Sequence, residues 1–189
     1  MENILDLTNI QDLRTWLENN SAKEKECWVK SSRNKQCPED CLPYLAIVEQ
    51  ALCFGWIDST CKKIDGGLYQ RLSPRKKSSP WTELNKERIR RLEKLGMMTD
   101  NGRKVLPDMN EKHFKIPQDI KKALQKDKTV WQNFNSFPPL YQRVKINNIE
   151  FYRTRDINVF NARLEKLILM SKENKMYGNW DDNGKLSAY

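Results

Sequence analysis

Apolar residues in this chain recur at two distinct spacings, which predict helices in some segments and strands in others. Leu45, Val48 and Leu52 lie three or four positions apart, as on one face of a helix that begins at Pro43 and ends at Gly55. The same helical spacing recurs near the N-terminus and through the last third of the chain. Further helices are therefore predicted after Thr8, after Thr99 and over residues 83–95, 118–127, 130–134, 140–151 and 156–173.

Strands are predicted in the stretch that follows this first long apolar helix. Residues 56–64 are predicted to be extended and run into the sequence DGG at 65–67, which is the strongest hairpin signal in the chain. Residues 68–73 form the predicted return strand, and residues 27–29 form a third, short strand. The fold class expected is α+β, with a small antiparallel sheet of about three strands, including the 56–73 hairpin, packed with helices and followed by a helical C-terminal part.

Length and proline placement predict how the chain is divided. A chain of 189 residues is long enough for one ordinary domain, or for a domain with a smaller helical appendage. Residues 1–106 form the predicted α+β N-terminal part, and residues 107–117, bracketed by two prolines, form a linker. Residues 118–175 form the helical C-terminal part, and residues 176–189 a mobile tail.

Side-chain alternation predicts that one face of the 56–73 hairpin mixes aromatic and charged groups. A two-residue turn, at either Asp65-Gly66 or Gly66-Gly67, brings alternate side chains of both strands onto one face. This mixed face comprises Trp56, Asp58, Thr60, Lys62, Ile64, Tyr69, Arg71 and Ser73. A three-residue loop would reverse the faces of the return strand, and the mixed face would then not form.

Arg88 is predicted to lie on the buried side of the helix that follows the hairpin. At the helical periodicity it falls among Leu84, Leu92 and Leu95, away from the other basic residues of that helix. A guanidinium in this position must extend to the surface or meet a carboxylate, because an unpaired buried charge costs several kcal/mol. We predict that Asp58 is its partner.

Two interpretations of this cluster stay open at the level of sequence. In the first, the Arg88–Asp58 pair only stabilises the fold. In the second, the cluster forms a pocket for a small anionic ligand, with arginines that orient the ligand and aromatic rings that wall it. The candidate ligand-binding residues are Trp56, Asp58, Tyr69, Arg71, Arg75, Lys76, Trp81 and Arg88.

Charge is spread unevenly along the chain, whose formal net charge is +9. Residues 62–104 carry 13 basic and 5 acidic side chains, which predicts an anionic partner. A nucleic acid is one such partner, since lysine and arginine would contact phosphates while Trp56, Tyr69 and Trp81 could stack on bases. The alternative is a solvated helix face whose charges pair along the helix.

Cysteine and histidine usage argues against several kinds of chemistry. The odd cysteine count predicts five reduced, metal-free thiols, because structural zinc needs four ligands that usually arrive as two close pairs. His113 is the single histidine, and sequence signatures of serine hydrolases, zinc proteases and nucleotide-binding loops are absent. We predict no catalytic residue, no cofactor and no metal, and we incline against an enzyme. The chain also lacks a long apolar run and an export signal, which predicts a cytoplasmic location.

Several strings resemble the YdeI/OmpD-associated (bacteriocin-protection) family. They are LCFGWIDS at 52–59, PRK at 74–76, GMMT at 96–99 and IPQDIKKALQKD at 116–127, and the likeness extends over most of residues 5–175. The resemblance implies a non-catalytic binding or stress/bacteriocin-protection protein, and the family's label implies association with an outer-membrane porin. It brings no catalytic residues with it. Three function classes therefore remain open: a protein with a protein partner, a nucleic-acid-binding module, and an enzyme or binder of a small anionic ligand. The sequence leaves the oligomeric state undefined.

Overall fold

The computed structural model describes residues 3–34 and 36–189, and the chain divides into two compact units. Unit 1 comprises Met1–Pro80 and Ile89–Pro107, and unit 2 comprises Trp81–Arg88 and Asp108–Tyr189. The division falls inside one helix, so each unit is built from two separate stretches of sequence. The predicted boundaries at 106, 117 and 175 stay predictions.

The described residues of unit 1 contain a mixed sheet of five strands. The strands are β1 Ile4–Leu5, β2 Cys27–Ser32, β3 Leu42–Pro43, β4 Trp56–Ile64 and β5 Gly67–Pro74. They are ordered β1-β2-β5-β4, with β3 beside β2; β1 and β3 run parallel to β2, whereas β5 runs antiparallel to β2 and β4. The α+β class is confirmed, but the expected three-stranded antiparallel sheet was too small. β1 and β3 span two residues each, which is too short for an alternating pattern to show.

In the part of unit 1 that the structure describes, three helices lie wholly within the unit: α1 Ile10–Asn20, α2 Tyr44–Cys53 and the short α4 Asp100–Arg103. Asn9 caps α1 by accepting a hydrogen bond from the backbone amide of Gln11, so the cap lies one residue after the predicted Thr8. The predicted limits of α2 are confirmed, since Pro43 precedes it and Gly55, at φ +74°, follows its end. The core beneath the sheet contains the fully buried residues Leu13, Leu17, Val29, Ile47, Val48, Ala51, Leu52, Trp56, Leu72 and Leu92.

The helix α3 Glu83–Lys94 begins in unit 2 and ends in unit 1. Its start is as predicted: the hydroxyl of Thr82 accepts a hydrogen bond from the backbone amide of Asn85. Its apolar side is as predicted only in part, since Leu92 is buried but Leu95 is 52% exposed. Ile89 is also buried. The helix ends one residue before Leu95, so this side chain no longer follows the helical periodicity.

Unit 2 is helical after the short 3-10 turn Glu111–His113. Its helices are α5 Gln118–Gln125, α6 Lys128–Ser136, α7 Pro139–Glu150 and α8 Ile157–Lys172. Asp127 and Asp156 cap α6 and α8, each accepting hydrogen bonds from two backbone amides of the first turn. The helices enclose a continuous core formed by Ile120, Leu124, Val130, Phe134, Phe137, Tyr141, Ile146, Ile149, Phe160 and Leu167. The expected helical C-terminal part is confirmed.

The segment 176–189 also contributes to unit 2. Leu186 packs with Leu140 and Val144 of α7 and is 4% exposed, and Asp182 is 2% exposed. The mobility expected for this tail stays a prediction, but its described residues include two of the more buried side chains of the unit.

Candidate functional site

A β-bulge in β4 separates the residues that strand alternation had placed on one face. Asp58 pairs with Leu72 of β5, whereas Cys61 pairs with Gln70, so two residues of β4 oppose one residue of β5 between these pairs. The turn itself is as predicted: Asp65 and Gly66, both at positive φ, connect the paired residues at 64 and 67. Because of this extra residue, each residue of β4 before the bulge lies on the opposite face of the sheet from the one that regular alternation predicts.

The predicted mixed face is therefore wrong. Cross-strand partners share a face, so Trp56 and Asp58 lie on the side of the sheet that α1 and α2 cover. Tyr69 and Arg71 lie on the opposite side, where the cross-strand partner of Tyr69 is Lys62. The residues proposed as one ligand-binding cluster consequently belong to two different surfaces of the sheet.

On the helix-covered side, Asp58 interacts with Tyr44 rather than with Arg88. The hydroxyl of Tyr44 donates a hydrogen bond of 2.6 Å to Oδ2 of Asp58, and the guanidinium of Arg33 lies 3.9 Å from the centre of the Tyr44 ring. Arg75 is buried and donates from Nη1 to the carbonyl oxygen of Pro80 at 3.0 Å. Burial lowers the pKa of Arg75 to about 10, and the charge of Asp58 opposes this shift. The charges of Asp58 and Arg75 thus interact within the folded protein.

On the opposite side, Arg71 is held by Glu26. Its Nε donates to Oε2 of Glu26 at 2.7 Å, and its Nη1 donates to the hydroxyl of Ser59 at 3.1 Å. Trp28 lies in the same layer and donates from Nε1 to the other carboxylate oxygen of Glu26 at 3.1 Å. The hydrogen bonds from Arg71 and Trp28 lower the pKa of Glu26. Arg71 therefore already has an acidic partner.

The three remaining predicted residues lie apart from these groups. Lys76 is exposed in the loop after β5, and Trp81 belongs to unit 2 and is partly buried. The predicted Arg88–Asp58 pair is wrong. Arg88 donates two hydrogen bonds to Asp182 in unit 2, from Nε at 2.7 Å and from Nη2 at 2.9 Å. Arg88 does pair with a carboxylate, as its position requires, but that carboxylate lies in the segment after α8.

A different group of cationic and aromatic side chains gathers in unit 2, and we call it the Lys145 cluster: Lys145, Arg163, Lys166, Tyr141 and Tyr177. Nζ of Lys145 lies 3.8 Å from the centre of the Tyr177 ring and 5.2 Å from that of Tyr141. Nζ of Lys166 lies 5.0 Å from the centre of the Tyr177 ring. α7 supplies Lys145 and Tyr141, and α8 supplies Arg163 and Lys166.

No carboxylate balances this cluster within residues 3–34 and 36–189. Neither Lys145 nor Arg163 nor Lys166 forms an ion pair there. Arg163 donates to the backbone carbonyl of Asn148 at 2.9 Å, and the ammonium group of Lys145 lies over the two tyrosine rings. Lys145 is 7% exposed. Burial, together with the charges of Lys166 and Arg163, lowers the pKa of Lys145 to about 8.

The Lys145 cluster was not predicted from the sequence. Its members come from two helices and the segment after them, and they lie 3 to 36 positions apart along the chain, so no local motif marks them. One signal was present: Lys145 lies between Val144 and Ile146, both of which are buried in the structure. A lysine within the apolar part of a helix is unusual enough to raise the question of what accommodates its charge.

The described residues hold no group of three or more histidine, cysteine, aspartate or glutamate side chains arranged to bind a metal ion. The five cysteines are unbonded thiols, and Cys27, Cys41 and Cys53 are buried. Among the described helices, none combines the length and the apolar character needed to cross a bilayer.

Two family models match the chain. One is described as Domain of unknown function (DUF8412) and matches residues 5–105, which is more than half of the chain. The other is described as Bacteriocin-protection, YdeI or OmpD-Associated and matches residues 113–174. The expected resemblance is thus confirmed for the C-terminal part, while the strings at 52–59, 74–76 and 96–99 fall within the first match. No curated protein and no solved structure gave a significant match.

Proposed function

The chain belongs to the family described as Domain of unknown function (DUF8412), and from that premise we propose that it is a non-catalytic binding protein that holds an anionic ligand at the Lys145 cluster. One observation carries the proposal. The ammonium group of Lys145 is buried and, within residues 3–34 and 36–189, has neither an ion pair nor a hydrogen bond, while two further cations lie close enough to depress its pKa.

The arrangement of these three cations favours the binding of an anion. Gathering three cations without a carboxylate is unfavourable, and contacts with tyrosine rings compensate only part of the cost. A bound anion would remove the repulsion and supply the missing hydrogen-bond acceptors. The cluster should therefore attract an anion, because no carboxylate among residues 3–34 and 36–189 neutralises its charge.

The ligand class that fits is a compact oxyanion with more than one negative charge, such as a phosphate monoester. Lysine ammonium groups and an arginine guanidinium are the usual partners of phosphate oxygens. The ring of Tyr177, which is partly exposed, offers an apolar surface to whatever carries the anionic group. A small anionic ligand was one of the alternatives drawn from the sequence, although its proposed position was in unit 1.

The basic segment 62–104 supports nucleic-acid binding less well than its charge suggests. Arg88 pairs with Asp182, Arg91 with Glu49 and Arg103 with Glu93. Because these arginines already have acidic partners, fewer charges are available for counterion release than a simple count implies. We therefore rank a nucleic-acid partner second.

The second family description names bacteriocin protection and association with OmpD. If either role applies to this chain, we propose that the Lys145 cluster takes part, because residues 113–174 contain Lys145, Arg163 and Lys166. A cytoplasmic location belongs to the same proposal. Its support is the odd number of thiols, which suits a reducing compartment.

Phosphate titration tests the proposal directly. We expect inorganic phosphate, added at constant ionic strength, to bind the wild type and to raise the pKa of Lys145, followed by NMR of the lysine side chain. Lys145→Met should abolish the binding and Lys166→Met should weaken it. Lys122→Met, which removes an exposed lysine from α5 of the same unit, is the matched control and should bind like the wild type.

Equal binding by all four proteins would show a general effect of positive charge and would refute the site. Absence of binding by the wild type would refute it too, provided that the protein is not already occupied. Native mass spectrometry of freshly purified protein settles that point, since a retained anion adds a defined mass that should be missing from Lys145→Met.

A further inference from the structure

The thiols of Cys37 and Cys41 face each other across a tight turn in unit 1. Their sulfur atoms lie 3.4 Å apart, and the backbone amide of Cys41 donates to the carbonyl oxygen of Pro38, which closes the turn. The thiol of Cys37 also contacts the carbonyl oxygen of Cys41 at 3.3 Å. No other pair of sulfurs in the described chain makes such a contact.

The two thiols differ in their access to solvent. Cys37 is partly exposed, whereas Cys41 is 6% exposed. Cys41 lines an open cavity of about 450 Å³, together with Lys30, Pro38 and Asp40. The cavity thus opens onto Cys41, whereas a small molecule reaches the pair from solvent through the partly exposed thiol of Cys37, which is in contact with Cys41.

We propose that Cys37 and Cys41 are a dithiol site that forms an intramolecular disulfide by exchange with a low-molecular-weight disulfide. The thiolate of Cys37 attacks one sulfur of the small disulfide, whose S–S bond breaks and releases one small thiol. The thiolate of Cys41 then attacks Sγ of Cys37 and releases the second small thiol. The protein dithiol loses two electrons and two protons, and the small disulfide gains both.

The surroundings of Cys41 support this order of steps. Burial, the neighbouring thiol of Cys37 and the charge of Asp40 raise the pKa of Cys41 to about 11, and the charge of Lys30 opposes them only weakly. Cys41 is consequently a thiol at neutral pH, unsuited to the first attack. It becomes reactive once Cys37 carries a good leaving group at contact distance.

The test exposes the full-length, reduced protein to oxidised glutathione and maps the thiols by alkylation and tandem mass spectrometry. We expect the wild type to lose two alkylatable thiols, those of Cys37 and Cys41, and to carry no glutathione at the end point. Cys41→Ser should instead retain glutathione on Cys37. In the wild type, closure of the mixed disulfide should accelerate by roughly tenfold per pH unit below the pKa of Cys41.

Cys61→Ser is the matched control, since Cys61 is an exposed thiol outside the pair, and it should behave like the wild type. Five alkylatable thiols in the treated wild type would overturn the proposal. So would a stable glutathione adduct on wild-type Cys37, or a disulfide between any other two cysteines. If Cys41→Ser does not fold, as judged by circular dichroism, the mapping of the wild type decides by itself.

Discussion

Arg88 and Asp182 form a paired, double hydrogen bond in unit 2 although 94 residues separate them in sequence. Asp182 is 2% exposed, and Nη1 of Arg88 also donates to the side chain of Asn85 at 2.7 Å. The carboxylate thus neutralises a partly buried guanidinium, and the pair fixes the segment after α8 onto the first turns of α3. Geometry of this kind is the strong form of an ion pair.

Removing the charge of Asp182 should destabilise the protein markedly. We expect Asp182→Asn to lower the free energy of unfolding by about 3–5 kcal/mol, because it removes the buried carboxylate that accepts two hydrogen bonds from Arg88. Asparagine is the suitable replacement, since residue 182 has φ +52°, a conformation that asparagine tolerates. Urea denaturation measures the change.

The matched control for this variant is Glu93→Gln. It breaks the pair of Glu93 with Arg103, in which both side chains are more than 40% exposed. A loss of about 0–1 kcal/mol is expected there. Equal losses for the two variants would contradict the importance assigned to the buried pair.

Lys145 should make stability rise with pH. Its pKa in the folded protein, about 8, lies below the ordinary value of 10.5, so the unfolded chain binds more protons between these values. The penalty is complete below pH 8 and is relieved as pH rises towards 10.5. Lys145→Met should therefore stabilise the protein at neutral pH, by on the order of 2–3 kcal/mol, and flatten the pH dependence over this window. Thermal unfolding at several pH values measures both effects, and a variant less stable than the wild type at pH 7 would contradict the prediction.

Gly102 should tolerate no side chain. A methyl group at this position would lie 2.2 Å from the carbonyl oxygen of Cys53, an atom that also accepts hydrogen bonds from the amide and the hydroxyl of Thr99. We expect Gly102→Ala to cost about 2 kcal/mol or more, because α4 must move away from α2. At Gly66, in the hairpin turn, an added methyl group would meet no further atom within 4 Å. Gly66→Ala should therefore cost only the conformational penalty of a positive φ, about 1–2 kcal/mol. Chemical denaturation of both variants provides the comparison.

Substitutions in the basic loop after β5 can separate an effect on stability from an effect on the binding of nucleic acid. Arg75 is buried, whereas Lys76 and Lys77 are exposed. Arg75→Glu should therefore lower stability, because it places a carboxylate in a buried site next to Asp58. Lys76→Glu with Lys77→Glu should leave stability within about 0.5 kcal/mol of the wild type. If the loop binds nucleic acid, the double variant alone should weaken retention on heparin and reduce its salt dependence.

Local chemistry made the hairpin turn and the helix limits predictable from sequence. Asp65 and Gly66 both adopt positive φ, which few other residues accept, and Asp156 offers a side-chain acceptor to the first turn of the helix predicted from residue 156. The bulge in β4 had no such marker. Ser59 and Thr60 suit a regular strand equally well, and one extra residue was enough to reverse the face of every residue before them.

Long-range pairing made the candidate site unpredictable. Sequence reasoning established that Arg88 needed a carboxylate, but it offered no way to choose among the many acidic residues of the chain. The Lys145 cluster shows the same limit, since Tyr141 and Tyr177 meet only after α7, α8 and the following segment have packed. The need of a buried charge for a partner can be inferred from its own position in a helix. Which residue becomes the partner depends on how distant segments pack.

The interleaving of the two units along the chain bears on how such a protein can evolve. Trp81–Arg88 belongs to unit 2 but precedes Ile89–Pro107 of unit 1. A recombination event that exchanged everything before residue 108 would deprive unit 2 of Glu83, Glu87 and Arg88, whose partners Arg143 and Asp182 would remain behind. The regions that the two family models match, residues 5–105 and 113–174, are therefore adjacent in the gene but are not exchangeable modules. We expect them to be inherited together.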